Sequence, residues 1–190
     1  VSIFINPTQF NKSSDLKKYP RNLKKDINIL KKLKIDYLLL PKTSDVYPKR
    51  RHRKIKLNNK DKIMCCLYRP GHFEGVLAVI NQFLSNIKPT YIFLGEKDYQ
   101  QIFLIKKLIK KKNFKINVYQ CKTVRTQNKI ALSSRNVLLK KNNLLKSSYI
   151  AKLLLKFKSQ IKKNFLLKKK LVKIYEKINK LKNIKIEYLE

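Results

Sequence analysis

Glycine is nearly absent from this chain, and its scarcity restricts where the backbone can turn tightly. Only three of the 190 residues are glycine, at positions 71, 75 and 95. Glycine accepts a positive φ and lets a second backbone or a ligand approach closely. We therefore expect the geometrically demanding parts of the fold, and the functional site with them, near residues 69–75 and 95–101.

Short apolar runs alternate with segments of helical periodicity in the first part of the chain. The apolar runs predict four strands, at residues 1–5, 36–40, 91–94 and 116–119. Helical spacing predicts helices that begin near Leu23, just after Gly75 and near Ile102. The basic stretch at 49–62 has no clear period and is predicted to be a loop. Apolar strands that alternate with helices are typical of a parallel α/β sheet with helices on both faces.

The composition changes after about residue 122, where lysine, leucine and isoleucine dominate. Their helical spacing from 142 to 181 predicts two helices, separated near Asn164 and Phe165. Residues 184–189 are predicted to be a single strand, which would have no partner of its own. We therefore predict one domain over residues 1–122 and a second, smaller α+β domain over 123–190 that is incomplete.

The net charge of +36 and the isoelectric point near 10.3 would ordinarily indicate a nucleic-acid-binding protein. The excess is mostly lysine, however, and it accompanies abundant isoleucine and asparagine, only three alanines and no tryptophan. Lysine, isoleucine and asparagine have A/T-rich codons, whereas those of alanine and tryptophan are richer in G and C, so a biased genome explains the charge equally well. We expect weak, salt-sensitive binding to nucleic acid and no specific recognition. A basic nucleic-acid-binding protein remains the less favoured alternative.

The cysteines and the hydropathy indicate a cytoplasmic protein. Cys65, Cys66 and Cys121 have neither a zinc spacing nor a redox motif, so we predict no metal site and expect all three thiols to be buried small hydrophobes. Their odd number fits a reducing compartment. No apolar stretch approaches the roughly 18 residues that a membrane span needs. We therefore expect no membrane association.

Polar side chains follow two predicted strands, where an open α/β sheet binds its ligands. Gln9 follows the first strand, and its amide suits hydroxyl and carboxylate groups of a small substrate, as does that of Gln101. After the strand at 91–94, Gly95 permits close approach and Lys97 supplies a charge suited to phosphate. The helix that follows would present its N-terminal amides to an anion. Each side chain alone could equally be ordinary surface.

Three further places in the sequence carry side chains that could bind or react with a ligand. Residues 132–135 place two hydroxyl groups and a guanidinium in a row, a combination that can grip phosphate oxygens. His72 is predicted to be a core histidine held by hydrogen bonds. His52, within a basic run, is predicted to be solvated.

Taken in order, six motifs resemble those of the pantothenate synthetase (pantoate–β-alanine ligase) family, over residues 1 to about 140. They are Ser2-Ile3-Phe4-Ile5-Asn6-Pro7-Thr8-Gln9-Phe10, Asp15-Leu16 with Tyr19-Pro20-Arg21, Val46-Tyr47-Pro48, Arg69-Pro70-Gly71-His72-Phe73-Glu74-Gly75, Gly95-Glu96-Lys97-Asp98-Tyr99-Gln100-Gln101 and Ala131-Leu132-Ser133-Ser134-Arg135-Asn136.

The resemblance implies a ligase with a Rossmann-like nucleotidyltransferase fold, a parallel sheet followed by a truncated α+β C-terminal domain. In this family pantoate attacks the α-phosphate of ATP, giving pantoyl adenylate and pyrophosphate. The amine of β-alanine then displaces AMP and forms pantothenate, in the pathway to coenzyme A. The resemblance further implies small-molecule substrates, Mg²⁺ bound with ATP, and a cytoplasmic homodimer.

By match to the family motifs, roles are implied for individual residues. Gln9 and Gln101 would hold pantoate, and Gln9 would also lie near β-alanine. Lys97 and Arg135 would be catalytic. The residues that would contact ATP are Gly95, Glu96, Lys97, Asp98, Val124, Leu132, Ser133, Ser134 and Arg135, of which the last four would act from a second domain that closes like a lid.

The chain also departs from the family. The family carries a His-x-Gly-His motif upstream of the stretch that Val1 matches, and neither His52 nor His72 has that spacing. The family often has glycine before Ala131, where this chain has Asn128-Lys129-Ile130, and we expect Asn128 to adopt the left-handed conformation. The chain is therefore expected to be an internal fragment of the enzyme. An inactive remnant is the alternative.

Overall fold

The computed structural model describes residues 1–48, 55–161 and 167–189. Internal contacts divide the chain into two units, Val1–Lys122 and Thr123–Glu190. The described helices are α1 (Ser13–Lys18), α2 (Leu23–Lys32), α3 (Thr43–Val46), α4 (Cys65–Tyr68), α5 (His72–Ile87), α6 (Tyr99–Lys111), α7 (Lys141–Ile161) and α8 (Leu167–Asn179). The described strands are β1 (Tyr91–Gly95) and β2 (Asn117–Cys121). None of the helices in these ranges combines the length and apolar content needed to cross a membrane.

Strands β1 and β2 pair in parallel, with Tyr91 opposite Asn117 and Gly95 opposite Cys121. Helix α6 connects them, as the alternation of strands and helices predicts. The core of this unit is formed by α5 and α6, through Phe73, Leu77, Leu84, Leu104, Ile105, Leu108 and Ile109. Ile92 and Leu94 of β1 pack against this core. The sheet therefore rests on the two helices through one of its faces.

The opposite face of the ladder is exposed, which differs from the expectation of strands buried on both sides. Tyr91, Phe93 and Tyr119 are 51%, 68% and 53% exposed. The rings of Phe93 and Tyr119 stack with their centroids 5.3 Å apart. Side chains alternate between the two faces of a strand. In β1, Ile92 and Leu94 therefore face the core, while Tyr91 and Phe93 face the open side.

The first two predicted strands are reduced to a single pairing. Ser2 forms an isolated parallel bridge with Leu39, supported by hydrogen bonds from the Ile3 amide to Leu39 and from the Leu39 amide to Val1. The predicted burial of residues 1–5 is also only partial, since Val1 is 59% exposed. The pairing is parallel, in agreement with the predicted sheet, but it is too short to count as a strand.

Helix α5 begins at His72, four residues before the predicted start just after Gly75. Gly71 precedes it with a φ of +78°, in the left-handed region that favours glycine. Gly75 therefore lies within the first turns of the helix and does not begin it. The predicted helices at Leu23 and Ile102 are confirmed as α2 and α6, although α6 begins at Tyr99.

The second unit is built on α7 and α8, in agreement with the two helices predicted there. Asn164 and Phe165, where the break was predicted, lie outside the described residues, as does His52. The strand predicted at 184–189 is wrong. Ile184, Ile186 and Leu189 instead pack against the helix pair, on a cluster formed by Phe157, Ile174 and Ile178.

Two smaller expectations also require correction. The left-handed residue before Ala131 is Lys129, with a φ of +67°, and not Asn128. Lys129 ends a tight turn in which its amide bonds to the Thr126 carbonyl. Of the cysteines, Cys65 and Cys66 are half-buried, but Cys121 is exposed because it stands on the open face of β2. The predicted loop at 49–62 is described only from residue 55 and includes a short 3-10 turn, Asn59–Asp61.

Candidate active site

The first candidate stretch forms a 3-10 turn, Pro7–Gln9, which Asn6 caps. Asn6 is 1% exposed. Its Oδ1 accepts hydrogen bonds from the Thr8 amide at 3.2 Å, the Thr8 hydroxyl at 2.9 Å and the Tyr47 hydroxyl at 2.8 Å. Its Nδ2 donates to the Gly75 carbonyl at 2.9 Å. One buried amide therefore ties the turn both to Tyr47 and to helix α5.

Gly75 is the point where this turn touches α5. A Cβ atom added at Gly75 would lie 2.7 Å from the Thr8 carbonyl oxygen and 2.8 Å from the carbonyl carbon. Such distances are shorter than atoms of a packed interior tolerate, so a larger residue would push the turn away from the helix. The glycines at 71 and 75 thus occupy demanding positions, one by its φ and the other by this close approach.

His72 contacts the same turn from the start of α5. The residue is 8% exposed, and its ring lies edge-on against that of Phe73, with the ring centroids 4.8 Å apart. His72 Nδ1 lies 2.7 Å from the carbonyl oxygen of Gln9. The prediction of a hydrogen-bonded core histidine is therefore confirmed. Its partner is the backbone of the residue that was predicted to hold the substrate.

The two candidate glutamines differ from their neighbour Gln100. No hydrogen bond joins the side-chain amides of the half-buried Gln9 and Gln101 to the part of the chain that the structure describes. The Gln100 amide, by contrast, is buried, accepts from the Cys65 amide at 3.1 Å and donates to the Ile63 carbonyl at 2.7 Å. Gln100 thus supports the fold, whereas Gln9 and Gln101 keep their donors and acceptors available for a ligand.

The second candidate stretch, residues 95–98, is open to solvent. Strand β1 ends at Gly95, and a 3-10 turn, Glu96–Asp98, leads directly into α6. A Cβ added at Gly95 would meet nothing within 4 Å, and its φ of −73° is one that any residue adopts. Neither packing nor backbone strain within the described residues therefore requires glycine here. Asp98 precedes the first turn of α6 without forming a side-chain cap, so its carboxylate does not occupy the amides of that turn.

The third candidate stretch lies in the second unit. Arg125 and Ala131 form an antiparallel bridge, and the Leu132 amide bonds to the Val124 carbonyl at 2.9 Å. A 3-10 turn, Ser134–Leu138, follows. The Ser133 hydroxyl accepts from the Arg135 amide at 3.2 Å, and Asn136 Nδ2 donates to the Ala131 carbonyl at 3.0 Å.

These contacts fix the backbone of residues 131–136. The side chains of Ser134 and Arg135 are exposed, and Ser133 is half-buried. Val124 and Leu132, for which nucleotide contacts were predicted, are 65% and 53% exposed. The loop therefore presents a serine hydroxyl and a guanidinium on a supported backbone.

The phenol of Tyr47 and the thiol of Cys66 have shifted pKa values. Burial raises the pKa of the Tyr47 phenol, and the hydrogen bonds to Thr8 and Asn6 oppose this shift. The phenol therefore stays protonated and continues to donate to Asn6. Burial also raises the pKa of the Cys66 thiol, with a further contribution from the charge of Glu74. This thiol is a poor nucleophile, in keeping with a packing role.

A cavity of about 280 Å³ adjoins the turn and is lined by Thr8, Ile55, Lys56, Gly71, Glu74, Gly75 and Ala78. The Glu74 Oε2 atom is buried without a hydrogen-bond partner among the described residues. Neither Gln9 nor Gln101 lines this cavity. No group of three or more histidine, cysteine or acidic side chains within the described ranges is arranged to hold a metal ion.

Sequence reasoning missed the residues that support the candidate site, namely Asn6, Tyr47, Gln100 and Asn136. Asn6 had a readable signal, because an asparagine directly before a proline is a common start of a helical turn. Tyr47 had none, since it reaches Asn6 across 41 positions of sequence. Gln100 and Gln101 are neighbours of the same type, so only the structure separates the supporting residue from the available one.

Comparison with known proteins gives a consistent result. A family model described as pantoate-beta-alanine ligase matches residues 1–190. Pantothenate synthetase from Thermosipho melanesiensis is 35% identical over 193 residues, covering 100% of this chain and 68% of the relative. Pantothenate synthetase from Buchnera aphidicola subsp. Acyrthosiphon pisum is 41% identical over 158 residues, covering 82% and 55%. The matched part thus spans between about half and about two thirds of these relatives.

Solved structures of pantothenate synthetases resemble this chain as well. Pantothenate synthetase from Thermus thermophilus superposes with a TM-score of 0.91 at 28% identity, covering 98% of this chain and 68% of that structure. Pantoate-beta-alanine ligase from Francisella tularensis, complexed with beta-gamma ATP and beta-alanine, gives a TM-score of 0.78 at 36% identity, with coverage of 92% and 66%. Together with the parallel sheet, these similarities confirm the predicted α/β, Rossmann-like fold.

Proposed function

Because the chain belongs to the pantoate-beta-alanine ligase family, we propose that it binds pantoate, β-alanine and ATP for their condensation to pantothenate. The observation that most supports this is the pair of glutamines, Gln9 and Gln101. Gln9 lies in the turn after the extended segment at 1–5, and Gln101 lies in the first turn of α6, which follows β1. The side-chain amides of both are without a hydrogen bond to the described residues. The similar Francisella protein was crystallised with a nucleotide and β-alanine, the substrate classes proposed here.

In the proposed reaction a carboxylate oxygen of pantoate attacks the α-phosphate of ATP, and pyrophosphate leaves with the bonding electrons. The β-alanine amine then attacks the acyl carbon, AMP leaves, and the nitrogen loses a proton. Gln9 and Gln101 orient pantoate through their amides, and Gln9 also lies near β-alanine. Neither amide changes its protonation state, so their contribution is orientation of the reactants.

The phosphate groups of ATP are bound by residues 95–98 and 132–135, which carry charged and hydroxyl side chains. Residues 95–98 contact ATP from the end of β1, where Lys97 opposes the negative charge that accumulates as pyrophosphate leaves. In the second unit, Leu132, Ser133, Ser134 and Arg135 hold the triphosphate, and Val124 contributes a backbone contact. Mg²⁺ would arrive bound to ATP. A cytoplasmic homodimer completes the proposal.

The test is the pantoate-dependent exchange of labelled pyrophosphate into ATP. Lys97→Ala should slow this exchange by about 10²–10³-fold, the loss typical of one charge-stabilising donor. Lys106→Ala removes the same charge from an exposed position on α6 and should stay within about twofold of the parent, as ordinary surface substitutions do. Equal effects of the two substitutions would reject the role of Lys97.

A second readout separates catalysis from binding. Calorimetric titration with pantoate and with ATP should show binding of both by the parent chain. Binding without exchange would support the alternative of an inactive remnant that retains its sites. Absence of both, in a folded chain, would reject the proposed function.

A further inference from the structure

The turn that carries Gln9 is held far more firmly than a surface turn requires. Asn6 accepts two hydrogen bonds from Thr8 within the turn, and two more join it to Tyr47 and to Gly75. Gly75 also allows Thr8 to rest on helix α5. Beyond the turn, Asn11 Nδ2 donates to the Pro70 carbonyl at 2.8 Å. Backbone that is fixed around an unused polar side chain is the arrangement that binding sites use to limit the entropy lost on binding.

His72 supplies the contact at Gln9 itself. A carbonyl oxygen carries no hydrogen, so the 2.7 Å contact requires Nδ1 of His72 to be the protonated nitrogen. The ring cannot easily leave this position, because it is buried and packs edge-on against Phe73. The left-handed Gly71 also fixes the direction in which α5 begins.

The effect of this bond is local. Fixing the Gln9 carbonyl fixes the peptide plane between Gln9 and Phe10, and with it the range of Gln9 backbone angles. Those angles set the direction of the Gln9 Cα–Cβ bond and limit the rotamers that its side chain can adopt. Through this bond His72 acts on a ligand indirectly, by way of Gln9.

We propose that His72 is a positioning residue, which orients the Gln9 amide towards the carboxylate substrate through the hydrogen bond to the Gln9 carbonyl. The assignment of pantoate to Gln9 rests on the proposed function. The fixing of the turn by His72 does not, so the two can be tested separately.

The experiment uses the full chain and two substitutions. His72→Asn keeps a donor near the position of Nδ1, whereas His72→Phe keeps a ring of similar shape and removes the donor. Asn11→Ala serves as the control, because it removes another hydrogen bond beside the turn without touching the Gln9 peptide. Long-range proton–nitrogen NMR of the parent should identify Nδ1 as the protonated nitrogen.

Titration with pantoate and with ATP gives the functional readout. His72→Phe should weaken pantoate binding about tenfold, the factor expected for one buried hydrogen bond. His72→Asn should restore most of that loss, and ATP binding should be the same in every variant. An unchanged pantoate affinity in His72→Phe would overturn the proposal. So would equal losses in the two variants, because ring packing and not the donor would then be responsible.

Amide hydrogen exchange at Phe10 separates this proposal from the proposed function. The Phe10 amide bonds to the Pro7 carbonyl at 3.2 Å and reports whether the turn is closed. Exchange should accelerate about tenfold in His72→Phe but not in His72→Asn or Asn11→Ala. If the parent chain binds no pantoate while exchange follows this order, the proposed function fails and the positioning of the turn stands. Unchanged exchange in His72→Phe would overturn the positioning role.

Discussion

The turn at Pro7–Gln9 and the turn at Glu96–Asp98 occupy similar places and are built in opposite ways. Each follows an extended segment with a parallel partner and each is a single 3-10 turn. The first is fastened by Asn6 and packs so closely that only glycine fits at position 75. The second is exposed, and Gly95 has empty space around it. The first turn, whose Gln9 is proposed to bind a substrate through a neutral side-chain amide, is thus fixed. The second turn, which is proposed to bind phosphate, is open to solvent.

The difference has a physical reason. An amide discriminates by direction, because its hydrogen bonds weaken steeply when misaligned, and so it needs a fixed backbone. A lysine acts through a charge that has little directional preference, and a phosphate needs room. We expect substitutions in the first turn to alter stability and those in the second to alter it little.

The largest loss of stability is expected for Asn6→Ala. This substitution removes the side-chain donor from the buried Gly75 carbonyl and the acceptor that Thr8 and Tyr47 share. Each unsatisfied buried group costs about 1–3 kcal/mol. Because water can reach part of the network, we expect the free energy of unfolding, measured in urea, to fall by about 3 kcal/mol in total. Asn11→Ala, at an exposed hydrogen bond, should lose under about 1 kcal/mol. Equal losses would show that the turn is not held from Asn6.

The paired substitutions Gly75→Ala and Gly95→Ala come next. At Gly75 the new methyl group would overlap backbone atoms of Thr8, and such overpacking costs about 1–3 kcal/mol. At Gly95 the methyl group enters empty space at an ordinary φ, so the stability should change by less than about 0.5 kcal/mol. Urea unfolding of both variants measures the contrast. A similar cost at the two glycines would contradict the difference between the turns.

Much of the framework that presents these turns could be predicted from sequence. Helix α6 was predicted from the helical spacing of its apolar residues, and strands β1 and β2 were predicted from their short apolar runs. The strand at 184–189 was predicted for the same reason and is wrong, because Ile184 and Ile186 satisfy their burial against two helices. Alternation of apolar residues records which side is buried and not what buries it.

The support of the first turn could not be predicted in the same way. Asn6 joins Gly75 across 69 positions and Tyr47 across 41, and no local pattern records such pairings. The motif resemblance selected Gln9, Lys97 and Arg135 as site residues, and those roles stay predictions. The resemblance did not indicate that His72 would bond to the Gln9 backbone.

The effect of Tyr47→Phe is expected to be smaller and to depend on pH. The folded protein raises the pKa of this phenol, so it favours the neutral form. Its stabilising contribution is therefore complete below the unfolded pKa of about 10 and is lost as the pH rises through the folded value. At pH 8 the parent should be more stable than Tyr47→Phe by about 1 kcal/mol, the worth of one hydrogen bond. That advantage should narrow above about pH 10, as measured by urea unfolding, and a constant difference would exclude the phenol as the source.

The smallest expected effect distinguishes the two turns by their response to salt. If residues 95–98 bind phosphate through charge, tripolyphosphate binding should weaken about threefold between low and moderate salt, because an exposed ion pair is screened. Pantoate binding should lose less over the same range, since the amides of the first turn are neutral and its backbone is fixed by buried contacts. Lys97→Ala should remove most of the salt dependence of tripolyphosphate binding, whereas Lys106→Ala should leave it unchanged. Non-specific binding to this very basic chain would instead decline equally in all three proteins. Calorimetric titration with tripolyphosphate and with pantoate at two salt concentrations therefore tests the open turn. It distinguishes phosphate binding by Lys97 from non-specific attraction of phosphate to the positive charge of the whole chain.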